Sequence, residues 1–230
     1  MAEMPINNPE RILRILDSYL EKETRIILFG RAALALGFGK LGSQYAKTMD
    51  VDAILPAVEM GKIEADAQFW KAIELTNKSL MHEGLYVSHL FTDEQVALTP
   101  NWLNKIVPID IGGLKYLQLS RPSTIDLILT KMMRNDRQDI GDIRFMMSQE
   151  RVDAAELDRA FAAARPLGIP ELQKIFTKMQ PLVREMAVES QSLGIAPQDP
   201  HHRLDPDWWS KLTHQRTPDR SKEKDRGLEI

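Results

Sequence analysis

"KTMDVDAIL" (residues 47–55) has the alternating pattern of a β-strand but carries two acidic side chains. Because strand side chains alternate between the two faces of a sheet, Asp50 and Asp52 project to the same face. Aspartate is uncommon in strands, and like charges on one face repel each other. A bound cation relieves that repulsion, so the pair is predicted to bind a metal ion. The alternative is an exposed strand face on which Lys40 and Lys47 act as counter-ions.

A strand, a glycine and a helix are predicted to precede the acidic strand. Residues 25–29 (RIILF) form an apolar run that stops at Gly30, and residues 31–38 (RAALALGF) have a helical composition. A glycine at this junction lets backbone N–H groups approach a phosphate, and the helix N-terminus favours the anion. Mg²⁺ prefers oxygen ligands and often bridges to substrate phosphates. The order of these parts predicts a site for a nucleoside triphosphate with Mg²⁺ or Mn²⁺.

The rest of the chain divides into a mixed part and a helical part. Helical spacing covers 64–84, and a strand is predicted at 85–91. Two apolar runs flank Gly112-Gly113, which predicts a hairpin with a short turn. From Ser123 onward the pattern is helical, in four segments: 123–134, 137–149, 153–165 and 170–193. This succession predicts an α/β (α+β) fold with a helical C-terminal region.

Composition and charge exclude several kinds of chemistry. The chain has no cysteine, which excludes disulfide, thiolate and cysteine–zinc chemistry. Its formal net charge of -3 gives no overall basic footprint for nucleic acid. His82 and His89 have no partner at ligand spacing, so a histidine metal site is not predicted. No signal peptide is visible and no apolar stretch reaches the ~20 residues of a membrane span, so a cytoplasmic protein without a membrane partner is expected.

Two parts of the chain resemble nucleotidyltransferase-fold proteins. In that superfamily a strand leads into Gly-Gly or Gly-Ser, then a helix, then Asp-x-Asp on the next strand, and "ILFGRAALALGFGK…AKTMDVDAIL" is similar to this opening. "RPSTIDLILTKMMRNDRQDIGDIRFMM" (121–147) resembles a region of the AbiEii-type toxins and related uncharacterised (DUF6036-like) nucleotidyltransferases. That region carries Asp-Leu, then Lys, then Arg-x-x-Asp-x-x-Asp before a hydrophobic residue. The resemblance covers residues 25–150 and implies a small mixed sheet with flanking helices.

The resemblance implies roles for residues of the sheet. Asp50 and Asp52 would be the metal ligands, and Gly30 with the amides after it would bind the triphosphate. Asp110, in "IVPIDIGG", is the candidate for a third acid that acts as base or ligand. Where relatives have a second small residue after the glycine, this chain has Arg31. Arg31 is expected either to contact a phosphate itself or to crowd the loop and mark a lost activity.

Three further site residues are implied in the helical part. Lys131 would contact phosphate, and Asp139 and Asp142 would complete or orient the site. Each has a simpler interpretation. Lys131 fits an ordinary surface lysine whose stem covers apolar neighbours. Asp139 and Asp142 lie three positions apart on one helical face, where they favour the helix dipole or pair with Arg137 and Arg144.

The function that the resemblance implies is Mg²⁺-dependent transfer of a nucleotidyl group from an NTP to an acceptor. The acceptor would be an RNA, such as a tRNA, or a protein. AbiEii-type members are toxins of toxin–antitoxin pairs, so an antitoxin partner is implied as well. The alternative is a catalytically inactive protein of the same fold that acts by binding or interaction, which Arg31 favours.

Three regions are predicted along the chain. Residues 1–120 form a nucleotidyltransferase-like α/β core with an N-terminal helix, and residues 121–195 form a helical region that completes the site. Residues 196–230 are rich in proline and charge, which predicts an irregular or disordered tail. Trp208-Trp209 in this tail is predicted to dock onto the domain, with partner binding as the alternative.

Overall fold

A computed structural model describes residues 7–39, 44–134 and 136–192 of the chain. The predicted tail (196–230), with Trp208-Trp209, lies outside the described residues, and so does Lys40.

Helices surround a five-stranded sheet, close to the pattern predicted from the sequence. The strands are β1 (Thr24–Phe29), β2 (Asp50–Leu55), β3 (Tyr86–Thr92), β4 (Val107–Ile109) and β5 (Leu117–Arg121). The helices are α1 (Asn8–Tyr19), α2 (Gly30–Gly37), α3 (Met60–Glu64), α4 (Ala67–Leu80), α5 (Thr124–Lys131), α6 (Arg137–Gln149), α7 (Ala154–Ala163) and α8 (Pro170–Ser192). Within the described ranges, no helix is both long enough and apolar enough to cross a membrane.

The sheet is mixed, with strand order β3-β2-β1-β5-β4. β1 pairs in parallel with β5 and antiparallel with β2, while β2 and β3 are parallel and β4 and β5 antiparallel. The centre of β1 is apolar on both faces because both faces are covered, and Ile26, Ile27 and Leu28 are buried. This small mixed sheet with flanking helices confirms the predicted α/β (α+β), nucleotidyltransferase-like fold.

The two faces of β2 have different environments. Val51, Ala53 and Leu55 are buried on the face next to α1 and α2. On the other face Ile54 lies opposite Ile27, in an apolar cluster that includes Val96, Leu98 and Trp102 of the segment after β3. Asp50 and Asp52 share that face but lie beyond the cluster, where they remain half-buried. The acidic end of β2 is therefore the part of this face that a ligand reaches.

The predicted hairpin is confirmed as the antiparallel pair β4–β5, with a longer connection than the predicted short turn. Gly112 and Gly113 both have positive φ, 65° and 67°, in agreement with a glycine turn. The strand pairing, however, ends at Ile109 opposite Leu119, and residues 110–116 connect the strands. The amides at the end of this connection, those of Lys115 and Tyr116, bond to α1 instead of to β4.

Asp17 of α1 is the acceptor for that connection. Its carboxylate accepts from the N–H groups of Lys115, Tyr116 and Leu117 at 2.8, 2.7 and 2.7 Å. Burial by itself raises the pKa of Asp17, but these backbone donors outweigh it and hold the pKa below its usual range. The deprotonated carboxylate therefore stabilises the junction between α1 and the hairpin.

Asp17→Asn is expected to lower the melting temperature at neutral pH, because an amide oxygen accepts these hydrogen bonds more weakly than a carboxylate does. The loss is about 1–3 kcal/mol in the free energy of unfolding. The carboxylate's contribution is complete above the unfolded pKa of about 3.9 and is lost as the pH falls through the lower folded pKa. Thermal melts from pH 7 to pH 3 should therefore show the two proteins converging in acid. A difference that stays constant over this range contradicts this role for Asp17.

The helical region is joined to the sheet by buried contacts. Phe145 of α6 packs edge-on against Phe38 and Tyr45, with ring centroids 5.7 and 4.9 Å away. Arg121, at the end of β5, is 1% exposed and donates to the carbonyl oxygen of Gly37 and to Glu150. These contacts place α6 beside the chain that follows β1.

Candidate functional site

Gly30 joins β1 to α2 directly beside Asp52. Its φ is +64°, and a Cβ atom added to it would lie 3.1 Å from Oδ2 of Asp52. Phe29, the last residue of β1, is the cross-strand partner of Asp52. Both the positive φ and the close approach favour glycine at this position. The structure thus brings the predicted glycine turn and the predicted acidic strand together.

The N-terminus of α2 opens beside this turn. Its N-cap position, Phe29, supplies no side-chain acceptor, and its first turn has no acidic residue. The first N–H groups of a helix have no acceptor within the helix and carry its positive partial charge. This end of α2 therefore offers donors to an anion next to Asp52.

Asp50 and Asp52 lie on one face of β2, as the alternation predicts. The hydroxyl of Ser88 lies 3.5 Å from Oδ2 of Asp50 and also donates to Oδ1 of Asp52. Thr48 donates to the other oxygen of Asp50 at 3.0 Å. Because a single hydroxyl contacts both carboxylates, their oxygens converge on one point.

A bulge in β3 brings a second residue, His89, to the carboxylate of Asp52. Val51 pairs with Val87 and Ala53 with Leu90, so Ser88 and His89 both lie opposite Asp52. A bulge that sets two residues against one re-aims their side chains. Nδ1 of His89 consequently lies 3.4 Å from Oδ1 of Asp52.

Ser88 was not predicted as a site residue, and His89 was considered only as a metal ligand. The available signal was their polarity in the middle of an otherwise apolar strand, "LYVSHLF".

Lys131 of α5 and two aspartates of α6 form a buried ion-pair cluster. Nζ of Lys131 donates to Asp139 at 2.9 Å and to Asp142 at 2.8 Å. Arg134 makes a bidentate contact with Asp139, both distances being 2.8 Å. Burial by itself raises the pKa of Asp139, but Arg134 and Lys131 outweigh it and hold the pKa below its usual range. The three predicted residues thus come together, with the ammonium group bonded to carboxylates.

The burial of this cluster also bears on the simpler interpretations of Lys131, Asp139 and Asp142. Lys131 is only 7% exposed, so it is not an ordinary surface lysine. Asp139 and Asp142 are 0% and 2% exposed, and their partners include Lys131 and Arg134 of the preceding segment.

Arg31 connects this cluster to the glycine turn. Its Nη2 lies 3.6 Å from Oδ1 of Asp142, and its guanidinium carbon lies 5.5 Å from the centre of the Tyr45 ring. Burial, with the charge and hydrogen bond of Asp142 adding to it, raises the pKa of Tyr45 above its ordinary value, so Tyr45 stays neutral. The Arg31 side chain remains 38% exposed. Arg31 is therefore an anchored cation at the start of α2.

Asp110 does not join the other predicted acids. It follows β4, the edge strand farthest from β3, so two strands separate it from Asp50 and Asp52. The strand pairing aligns its neighbour Ile109 with Leu119 of β5, and Leu119 with Ile26 of β1. Ile26 lies three residues before Phe29, the cross-strand partner of Asp52. The Asp110 carboxylate accepts instead from the N–H of Gly112 at 2.7 Å.

The structure therefore corrects the prediction of Asp110 as a third acid. Among residues 7–39, 44–134 and 136–192, no group of three or more His, Cys, Asp or Glu side chains is arranged to bind a metal ion. The carboxylates that the sheet brings together are those of Asp50 and Asp52.

Comparison with known proteins identifies the family of the chain. A family model described as "Nucleotidyltransferase of unknown function (DUF6036)" matches residues 10–180. No curated protein and no solved structure matches significantly. The matched range contains every candidate site residue, and it supports the nucleotidyltransferase superfamily without singling out the AbiEii-type toxins. The chain belongs to the DUF6036 family of nucleotidyltransferases of unknown function.

Proposed function

We propose that this chain binds a Mg²⁺-bound NTP between Gly30 and the Asp50–Asp52 pair and transfers its nucleotidyl group to an acceptor. The observation that carries the proposal is the approach of Gly30 to Asp52, which is so close that a Cβ atom at Gly30 would lie 3.1 Å from Oδ2. The amides would bind the phosphates and the carboxylate would bind the metal ion. A single Mg²⁺-bound triphosphate can contact both groups only when they lie this close together. The family membership supports the same reaction class.

The acidic pair fits Mg²⁺ or Mn²⁺. Mg²⁺ in phosphate-transferring sites is usually bound by one or two carboxylates, with the remaining positions filled by water and substrate phosphates. Asp50 and Asp52 provide two carboxylates that converge on the hydroxyl of Ser88. A third protein carboxylate is not needed. The ion would neutralise charge on the phosphates during transfer.

The proposed reaction is an in-line displacement at the α-phosphorus. An acceptor oxygen forms a new bond to this phosphorus while the bond to the bridging oxygen of the β-phosphate breaks, and pyrophosphate leaves. The acceptor's proton passes to a carboxylate, for which Asp52 is the candidate once Asp110 is excluded. The amides at the start of α2 and the Arg31 guanidinium would bind the β- and γ-phosphates.

Arg31 is compatible with nucleotide binding. The turn at Gly30 forms with Arg31 in place, and the guanidinium points to Asp142 and Tyr45. This anchoring leaves a partly exposed cation near the amides of α2. We therefore assign the phosphate contact to Arg31 and a positioning role to Lys131, whose ammonium is buried between Asp139 and Asp142.

A non-catalytic binding protein is the second candidate. The observation that favours it is the burial of Lys131, since the cation that the resemblance assigns to phosphate is already neutralised. The acceptor class (an RNA, such as a tRNA, or a protein), the toxin role with its antitoxin partner and the cytoplasmic location stay predictions that rest on the sequence.

Label transfer separates the two candidates. The protein is incubated with Mg²⁺, RNA and protein fractions, and each NTP labelled with ³²P at the α- or the γ-position. An enzyme is expected to move the α-label but not the γ-label into acceptor, and chelation of the metal should stop it. A binding protein gains thermal stability with NTP and Mg²⁺ but transfers no label. If no NTP stabilises the protein or is consumed by it, the enzyme is ruled out, and the non-catalytic candidate is restricted to binding RNA or a protein partner.

A further inference from the structure

We propose that the exposed ring of His89 on β3 is a stacking platform for a nucleobase at the Asp50–Asp52 site. This inference rests on the proposed function and extends it to the part of the ligand beyond the phosphates. The base belongs either to the NTP itself or to a terminal nucleotide of the acceptor. Both sources present the same planar heterocycle to the ring.

The His89 ring is fixed on two sides and open on a third. One face stacks on Phe91, with centroids 5.2 Å apart and an interplanar angle of 23°. Its Nδ1 lies 3.4 Å from the Asp52 carboxylate. Phe91 is itself held edge-on by Phe29, at 5.4 Å. The His89 side chain nevertheless remains 68% exposed, so its second face is open to solvent.

A ring held in this way is suited to stacking. Every nucleobase has a π-face, and stacking on an aromatic side chain contributes without reading the base's identity. Because Phe91 and Asp52 already restrict the His89 ring, little side-chain entropy is lost when a base stacks on it. An interior packing role does not explain this ring, because most of its surface is exposed.

The position of the platform matches the order of groups in a nucleotide. Across the sheet, the Gly30 amides lie at the end of β1, the acidic pair on β2 and His89 on β3. A nucleotide runs in the same order from its terminal phosphates through the α-phosphorus to the ribose and base. In an in-line displacement the acceptor also approaches opposite the leaving pyrophosphate, which is the β3 side. Either base therefore reaches the side of the site where the platform lies.

The test compares three variants with the wild-type protein. His89→Ala removes the ring, and His89→Phe retains an aromatic face without the imidazole nitrogens. His82→Ala is the matched control, since His82 is 73% exposed and contacts Glu83 instead of the site. Thermal melts establish that all three variants fold.

The first arm measures the affinity of each NTP and of base-free tripolyphosphate, both with Mg²⁺, by calorimetry. If the NTP's own base stacks, the wild type binds NTP more tightly than tripolyphosphate by about 10-fold or more. His89→Ala should bind tripolyphosphate as tightly as the wild type does but lose the preference for NTP. His89→Phe and His82→Ala should keep that preference. The second arm measures binding of a short single-stranded oligonucleotide, which His89→Ala should weaken by a similar factor if the base comes from the acceptor.

A loss in either arm that His89→Phe restores supports the platform and identifies the source of the base. If NTP and tripolyphosphate bind and His89→Ala changes neither arm, the platform is overturned and the proposed function stands. If neither NTP nor tripolyphosphate binds to the wild type, the proposed function fails and the platform fails with it.

Discussion

Asp52→Asn is expected to lower nucleotidyl transfer on the order of 100-fold or more, and to remove the Mg²⁺-dependent part of NTP affinity. The substitution preserves shape but replaces a carboxylate with a neutral amide, which is a poor ligand for a hard cation. Asp52 lies against Gly30, so its carboxylate is adjacent to the amides that are proposed to bind phosphate and is one of the two proposed metal ligands. Rates of α-label transfer and calorimetric NTP titrations with and without Mg²⁺ measure the two effects. Asp50→Asn should act in the same direction.

Asp110→Asn is the matched control for this prediction. Asp110 is an exposed aspartate in the same domain, but it follows the far edge strand and accepts from Gly112. It is expected to retain transfer and NTP affinity within about twofold, because surface substitutions away from a site usually have small effects. If the Asp110 and Asp52 variants lose transfer and NTP affinity equally, the assignment of the acidic pair is contradicted and Asp110 is again a candidate for the third acid.

Lys131→Met is expected to reduce the free energy of unfolding by about 3 kcal/mol or more. The change keeps the apolar stem but leaves two buried carboxylates, Asp139 and Asp142, without their shared ammonium partner. Out of a total stability of about 5–15 kcal/mol for a typical domain, this is a large fraction. Denaturant unfolding at neutral pH measures it. Lys78→Met, at an exposed position of α4, is the control and should change stability by less than about 0.5 kcal/mol.

A double variant separates the ion pair from simple packing. In Lys131→Met combined with Asp142→Asn, the second substitution removes one of the stranded charges. Its loss should therefore be smaller than the sum of the two single losses. Additive losses, or a Lys131→Met protein as stable as the wild type, would show that Lys131 is not neutralised by the aspartates.

The local parts of the site were predictable from the sequence. β2 spans residues 50–55, as its alternation predicts, because the pattern of buried and exposed side chains depends only on neighbouring residues. The turn at Gly30 was predictable for the same reason, since an apolar run stopped by glycine and followed by a helical pattern is a local signal. The meeting of Gly30 with Asp52 followed from the order of these elements and from the family resemblance.

The misassignment of Asp110 has a topological cause. The glycine pair correctly predicts that β4 and β5 are partners, but a hairpin does not tell where it joins the sheet. Here β5 pairs with β1, so β4 becomes the edge strand and Asp110 lies away from β2. Strand order depends on contacts between distant segments, which a pattern in one sequence does not contain.

The contacts of Ser88 and His89 with Asp52 depend on the strand register, which the sequence does not show. A regular strand points successive side chains to opposite faces, so in a regular strand only one of the two would lie on the face of Asp52. The bulge opposite Asp52 brings both to that carboxylate. A bulge of this kind adds one residue to a strand without changing its composition, and the sequence carries no period that reveals it.

The position of a bound metal tests the central claim most directly. The protein is crystallised with Mn²⁺ and an NTP analogue whose α,β-bridging oxygen is replaced by methylene, which blocks transfer at the α-phosphorus. Anomalous scattering then locates Mn²⁺. We predict a metal in contact with carboxylate oxygens of both Asp50 and Asp52, with the analogue's terminal phosphates at the amides after Gly30. A nucleotide-bound crystal with Mn²⁺ and phosphates elsewhere on the protein would contradict this claim.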